Sequence, residues 1–475
     1  MKMRYMIAPL FLSAGLALAL QNPPQPASDV VTTRAPLTTA AQIKAALLTP
    51  GVYNIAAGTY TAHFTTTVPG VALMADMGVI FKTDDITKPV FQVTAGNFTL
   101  NGGRIEAGIN EGIVIGSPTA TDVTKQPDQV RIDGVTIVSP SNPTSGGGSR
   151  GIAVHGSNVT ITHCRIEGYW RPSQEVQAIW VHNGPGPITI TDNYLEGAGE
   201  NILFGGSGVP IVGLVPSDIY VARNHFYKPD RWRPASSNSA ACPECGTQPA
   251  TVKNIFELKN ARRVLIEDND FDGNWKSGQA GIPIVFTVRN SDGKCSWCEV
   301  NDVVFRHNRV HRAFEPGAYA VNILGHDDGG RASAQTQRIT IEDNLFEDSP
   351  GGVQVGSGVT DKLIIRHNTW PKNVGTFVGF VNSSIKTGCF FDNNAGQYGV
   401  YNYFLSGVGD SLLALNAACN PGYSSTGNVF VKMHTHAVTW PPGNTIFPIG
   451  TVILSGSPNY TLVGPAAGMD AGWTP

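Results

Sequence analysis

Residues 254–275 read "NIFELKNARRVLIEDNDFDGNW". Apolar residues alternate at Phe256 and Leu258, and again at Val264 and Ile266, with polar or charged residues between them. A period of two sends one side chain in and the next out, so these are two short strands and not a helix. Glu257 and Lys259 interrupt the first apolar run and point outward by the same rule.

The second half of the stretch recurs along the chain as apolar–x–apolar–x–x–Asn–x–apolar. Copies are "ITITDNYL", "IYVARNHF", "VLIEDNDF", "VVFRHNRV", "ITIEDNLF" and "LIIRHNTW", with Asn193, Asn224, Asn269, Asn308, Asn344 and Asn368 in the fixed slot. Asn394 in "CFFDNNAG" keeps the register, and Cys164, Val135 and Gly103 fill the slot in earlier copies. Neighbouring slots are 24 to 45 residues apart, the spacing of a solenoid with insertions of variable length. Asparagine tolerates a left-handed backbone and can hydrogen-bond its copy in the next coil, so stacked coils would carry an asparagine ladder. A further short apolar strand precedes most copies: "GIAVHG", "AIWVHN", "NILFGG", "NIFELKN", "PIVFTVRN", "VNILGHD" and "GGVQVGS". Two or three strands per turn, repeated about ten times, describe an all-β parallel β-helix.

The repeat, the asparagine slot and the opening "TTAAQIKAALL…GVYNIAAGTY" resemble the right-handed parallel β-helices of the pectate-lyase-like superfamily. Thr39 and Gln42 form a capping-box pattern for a short helix that would close the first coil. The expected organisation is a signal peptide at 1–19, a Pro-rich leader at 20–37 and the β-helix at 38–395. Insertion loops fall at 228–252 and 291–300, and C-terminal coils and a cap occupy 396–475. Lys2 and Arg4 before an apolar run, with small residues at Ala17 and Ala19, are the export signal. The chain is therefore expected to be secreted, extracellular or periplasmic, with no integral membrane segment after signal cleavage.

Composition agrees with strands and tight turns: Gly 54, Pro 32 and only 15% charged residues in 475. A net charge of −3 argues against nucleic acid as a partner.

Aligning the preceding strands by their inward residues gives two outward columns. One holds His155, His182, Gly205, Lys259, Arg289, His326 and Gly356; the other Ala153, Trp180, Leu203, Glu257, Thr287, Leu324 and Gln354. Asn183, Asn260, Asn290 and Asp327 lie just beyond. Coils are about 4.8 Å apart, so these residues would form one strip. Lys259 beside Arg289 is its sharpest feature, because two adjacent cations repel unless an anion joins them. An anionic polysaccharide is the partner this implies, with Trp180 as a platform for a sugar ring. The alternative is that Glu257 neutralises Lys259 and the strip is a solvated face.

As an enzyme, the strip suits β-elimination from a uronate polymer, which needs a base and positive charge for the developing enolate. Lys259 would be the base and Arg289 the carboxylate binder, with Glu257 and His326 in the same catalytic set. His155, Trp180, His182, Asn183, Asn201, Asn260, Asn290 and Asp327 would contact substrate. This is similar to the alginate and chondroitin lyases of the fold, which pair Lys with Arg and often use Ca²⁺. That resemblance implies calcium-binding roles for Asn201 and Glu257, although the second acidic ligand of the pattern is absent. The paired Asp327 and Asp328 of "GHDDGG" resemble polygalacturonases and imply an inverting hydrolase instead, although that family's other motifs are not found. A non-catalytic carbohydrate-binding or structural helix is the third reading.

Four of the seven cysteines form two pairs, Cys242 with Cys245 in "CPECG" and Cys295 with Cys298 in "CSWC". They resemble zinc-ribbon knuckles and would make one structural Cys₄ zinc site, or disulfides within or between the pairs. Cys164 and Cys389 are expected as buried core thiols, and Cys419 has no assignment.

Overall fold

Three parallel sheets form the body of the computed structural model, which describes residues 35–140, 142, 145–235, 242–313, 315–349 and 351–473. The expected signal peptide and nearly all of the leader lie outside the described residues.

Each coil passes through the three sheets in order, as in Ser157–Thr162, Arg165–Tyr169 and Gln177–Val181. The first sheet contains the strands that end in the asparagine slot. The second is 14-stranded, so the solenoid continues past the roughly ten coils read from the repeat. The third holds the short strands that precede the motif. The long strand Val353–Arg366 bends from the third sheet into the first and joins the two.

Inward rows are Val, Ile, Leu and Phe stacked on their equivalents one coil away. Ile161, Ile190, Val221, Ile266, Phe305, Ile341, Ile365 and Phe391 are all fully buried. Phe226 stacks on Phe271 with ring centroids 4.5 Å apart, and Phe346 on Trp370 at 4.8 Å. Such rows bury apolar area continuously, which a single coil cannot do.

The asparagines form one hydrogen-bonded column. Asn193 Nδ2 donates to Asn224 Oδ1, and the same bond links Asn224 to Asn269, Asn269 to Asn308, Asn308 to Asn344, Asn344 to Asn368 and Asn368 to Asn394 at 2.9–3.1 Å. The column continues through Asn428 and Asn444, beyond the repeat read from the sequence. At the other end, Cys164 N–H donates to Asn193 Oδ1. The left-handed residue is the one before each asparagine: Asp192, Arg223, Asp268, His307, Asp343 and His367 have φ between 53° and 60°. The asparagine side chain instead satisfies backbone groups of the turn, donating for example from Asn269 Nδ2 to Val221 O.

Helix α1, Ala40–Ala46, covers the first coil and carries the expected capping box of Thr39 and Gln42. A second helix, α2, Ser411–Ala418, lies near the C-terminal end. Cys419, just after it, is bonded to Cys389. Cys389 is therefore buried but is not a free thiol, and that bond pins α2 to the stack. Cys164 is buried and unbonded, and burial pushes its thiol up to about 12. Cys242 is bonded to Cys245 and Cys295 to Cys298. Each loop is thus stapled within itself, and no thiolates are left for a shared Cys₄ zinc site.

Candidate functional site

The outer face of the third sheet carries the groove. Its strands are Arg150–Val154, Gln177–Val181, Glu200–Phe204, Phe256–Leu258, Ile284–Thr287 and Val321–Leu324. Ala153 pairs with Trp180, Trp180 with Leu203 and Leu203 with Glu257, as the alternation requires. At the next coil the pairing differs from the expectation. Glu257 pairs with Val285 and not with Thr287, so its row continues through Val285, Asn322 and Gln354. Thr287 pairs with Leu324 as expected, but Leu324 pairs with Gly356 and not with Gln354, which takes Gly356 out of the His326 row. Each shift is two residues, so every side chain keeps its face.

Lys259 and Arg289 remain neighbours, because the Arg289 N–H donates to the Lys259 carbonyl at 3.0 Å. Neither cation is bare. Lys259 Nζ is 3.2 Å from Glu257 and 3.9 Å from Glu175, and Arg289 is paired with Asp328. The expected unpaired cations are thus neutralised on the protein. Glu257 is buried, and Thr287 Oγ1 donates to it at 3.5 Å.

Four residues not singled out from the sequence complete this cluster. Lys253 Nζ lies 2.8 Å from Glu200 and 3.0 Å from Glu175. Glu200 is fully buried and accepts from Gln177 Nε2 at 2.8 Å. Burial, and secondly repulsion from Glu200, holds the Glu175 carboxyl above the usual carboxylate range. Lys253 sits in the opening stretch's own strand approach, "TVKNIFELK", and Glu200 in the equivalent "GENILF"; that equivalence was the available signal.

Two depressions flank the Lys259–Glu257 pair. One, of about 240 Å³, is lined by Asn254, Glu257, Ile282, Val285, Arg289 and Asn322 among others. The second, of about 210 Å³, is lined by Arg150, Glu175, Gln177, Trp180, Leu203 and Ser207 among others. The buried side-chain oxygens of Asn254 and Asn322 have no protein partner, which suits acceptors awaiting a hydroxyl.

Most of the other expected contacts prove to hold loops. His155 is buried, and burial, then His182 and Arg150, lowers its pKa to about 3. It accepts from the Asn183 N–H at 3.4 Å. The Asn183 amide donates to Ser117 and Ala120 carbonyls. His182 meets Ser207 Oγ and the Gly208 carbonyl, and stacks on Trp180 at 4.8 Å. The Arg150 guanidinium also lies over Trp180, at 4.2 Å, so that ring is not a free sugar platform. The Asn201 amide donates to the Leu195 and Tyr227 carbonyls, and its buried Oδ1 makes no hydrogen bond. Asn260 binds Leu214 O and the Glu299 N–H, and Asn290 binds Ala332 O and the Cys295 N–H. Asp327 is buried and accepts from the Asn290 and Gly329 N–H groups, which makes it a turn element and separates it from Asp328. His326 is exposed beside Gly358.

A closed asparagine-laddered solenoid with one polar groove across its third sheet defines a parallel β-helix of the pectate-lyase-like superfamily. The chain belongs to the family described as the right handed beta helix region, which matches residues 90–369. Comparison with curated proteins gives no match. Among solved structures it is similar to a PL6 family alginate lyase, AlyGC, at 15% identity and TM-score 0.60, covering 92% of this chain and 56% of that one. The chain thus spans little more than half of that lyase. It is also similar to PfbA, a surface adhesin of Streptococcus pneumoniae, at 13% identity, 90% and 94% coverage and TM-score 0.47. A Yersinia enterocolitica family 28 exopolygalacturonase matches at 11% identity, 86% and 78% coverage and TM-score 0.41. At these identities the likeness is one of fold. No described helix is long and apolar enough to cross a membrane.

Proposed function

We propose that the protein is an exported polysaccharide lyase that cleaves a uronate-containing polymer by β-elimination in the third-sheet groove. The observation that carries this reading is the position of Lys259. It stands between two depressions, with Arg289 lining one of them and bonded through its backbone to the Lys259 carbonyl. A substrate carboxylate would replace Asp328 on Arg289 in a bidentate pair. The Lys259 amine would take the proton on the carbon next to that carboxylate. The released electron pair forms the C4–C5 double bond as the C4–O4 bond breaks, and the departing O4 takes a proton from solvent. Glu175, beside Lys259, is the group placed to relay the proton onward. Lys253 supplies the positive charge between Glu175 and Glu200 that a calcium ion would otherwise provide, so this reading has no metal step. Three disulfides support export to an oxidising compartment.

The test is ultraviolet absorbance of unsaturated products on pectate, alginate and glycosaminoglycans, with the wild type, Lys259→Ala and Arg289→Ala. The expected result is absorbance growth on one polymer and a loss of at least about 100-fold in each variant. Undiminished absorbance growth in both variants removes the mechanism.

A second reading, a binding module without turnover, is favoured by one observation: both cations already have carboxylate partners. Binding of a polymer with neither absorbance nor new reducing ends would select it. The hydrolase reading loses its carboxylate pair, because Asp327 is consumed by backbone N–H groups.

A further inference from the structure

The corner that joins strand Tyr194–Gly197 of the second sheet to strand Glu200–Phe204 of the third is made by Gly197, Ala198 and Gly199. Neither glycine has room for a side chain. A Cβ on Gly197 would lie 2.4 Å from the Glu200 carbonyl oxygen, and one on Gly199 would lie 2.6 Å from that of Val176. The corner leads directly into Glu200, the fully buried carboxylate beside the groove.

Lys228 reaches this corner from the next coil, one residue after strand His225–Tyr227, and is itself fully buried. Its Nζ donates to the carbonyls of Gly197 at 2.5 Å, Ala198 at 2.9 Å and Gly199 at 3.3 Å. An ammonium has three N–H groups and no acceptor, so these three carbonyls use it completely. Carbonyl dipoles aimed at one point repel one another, and a positive charge at that point turns the repulsion into attraction. The main chain of Lys228 is fixed as well, its N–H donating to the Asp272 carbonyl at 3.0 Å.

The same carbonyls hold the backbone of the groove. The Lys253 N–H donates to Ala198 O at 3.3 Å and Gly199 O at 3.2 Å, and the Asn254 N–H to Gly199 O at 3.1 Å. From there ion pairs run outward in alternating sign: Glu200 with Lys253, Lys253 with Glu175, Glu175 with Lys259, and Lys259 with Glu257. Lys228 is the inner end of that series. Burial pulls its pKa down to about 7, with the attraction of Glu200 opposing and the repulsion of Lys253 adding to the shift. None of the steps proposed for the groove uses this ammonium.

We propose that Lys228 is a positioning residue for the groove, a built-in internal cation that holds the 197–199 corner closed. The corner in turn sets the backbone of Lys253 and Asn254 and the carboxylate of Glu200, and that inner frame places Lys259 against Glu175 and Glu257. An uncharged side chain of similar length at 228 would fill the volume but leave the three carbonyls facing one another with no cation between them. That this frame serves turnover rests on the lyase reading of the groove; that the ammonium holds the corner does not.

The experiment compares full-length wild type with Lys228→Met well below their thermal midpoints, with circular dichroism as the check of folding. Deuterium exchange is read at about pH 6, where Lys228 carries its proton. The expected result is exchange at least about 10-fold faster in segments 197–202 and 253–259, with the asparagine-column segment 338–346 unchanged. On whichever uronate polymer the wild type cleaves, kcat should fall at least about 10-fold with KM held within about twofold. A side chain that only fills space would lower the thermal midpoint and leave exchange and kcat as they are, and that result overturns the proposal. Lys228→Ala supplies the second arm: propylammonium should restore protection of the corner, and propanol, of the same shape without the charge, should not. Equal rescue by both, or variants that fold in neither condition, overturns the positioning role. A wild type without turnover removes the lyase reading alone, because the exchange and rescue results are read without substrate.

Discussion

Lys253 and Glu200 form an ion pair at 2.8 Å, with the glutamate fully buried and the lysine nearly so. Glu175 and Gln177 complete its surroundings. A buried charge that loses its partner costs about 3–5 kcal/mol, far more than an exposed pair yields. Lys253→Met should therefore destabilise the protein by about 3–5 kcal/mol in denaturant unfolding. Adding Glu200→Gln to the same chain should restore most of that loss, because the uncompensated carboxylate is then gone. A single variant as stable as the wild type would show that the pair is not a buried one in solution.

The same ammonium bears on metal dependence. If turnover is found, chelation with EDTA should leave its rate unchanged within about twofold, since the Lys253 ammonium occupies the place between the carboxylates that a metal ion would need. A rate abolished by EDTA and restored by Ca²⁺ would reassign Glu175, Glu200 and Glu257 as metal ligands.

The solenoid was legible because two signals recur along the chain: apolar alternation in each coil and, from Asn193 onward, the asparagine slot. The groove was legible only in part, for a physical reason. Alternation determines which face a residue occupies, but a shift of two residues leaves that face unchanged. The displacement of Thr287 by Val285 opposite Glu257 is such a shift, and no misplaced apolar residue betrays it. Likewise the pattern sends His155 and His182 outward, but not into water. The loops that bury them, around Ser117 and Gly208, arrive from other coils with no repeat of their own.

The asparagine column predicts a position-dependent cost. Asn308 is fully buried, and its Oδ1 accepts from both the backbone N–H and the side-chain amide of Asn269 at 3.0 Å. Asn308→Ala would leave the buried Asn269 N–H without a partner, at about 1–3 kcal/mol, and would take one of three acceptors from the Asn269 amide. Asn444, half-buried in the last rung, accepts the equivalent bonds from Asn428 but nearer to water. Denaturant midpoints should fall substantially more for Asn308→Ala than for Asn444→Ala. Equal losses would mean that the column does not act through buried hydrogen bonds.

One rung of charges beside that column holds a histidine whose protonated form the fold favours. The hydrogen bond from His367 Nδ1 to Asp343 at 2.5 Å raises the histidine's pKa against the opposing effect of burial. Asp470 adds attraction at 3.8 Å, and Arg366 opposes it. With the folded pKa above the unfolded one, the native state binds the proton more tightly. Its stabilisation is complete below the unfolded value of about 6.5 and is lost as pH rises through the raised folded value. His367→Gln should therefore lower the thermal midpoint at pH 5.5 more than at pH 8.5. A difference of the opposite sign would mean that Asp343 does not hold the imidazolium.

Cysteine accounting tests how the two insertion loops are held. Of the seven cysteines, six are paired in three disulfides, which leaves Cys164 alone. Cys164 is buried, and its raised pKa keeps it from being thiolate, the reactive form. A thiol reagent should therefore find no reactive group in the native protein, one after denaturation, and seven after denaturation with reductant. A zinc-bound Cys₄ arrangement would instead release four further thiols on denaturation without reductant, together with one equivalent of metal. The two arrangements also differ in which insult loosens the loops. With a disulfide in each loop, reductant and not chelator should increase proteolysis near 228–252 and 291–300, because each staple limits only its own segment.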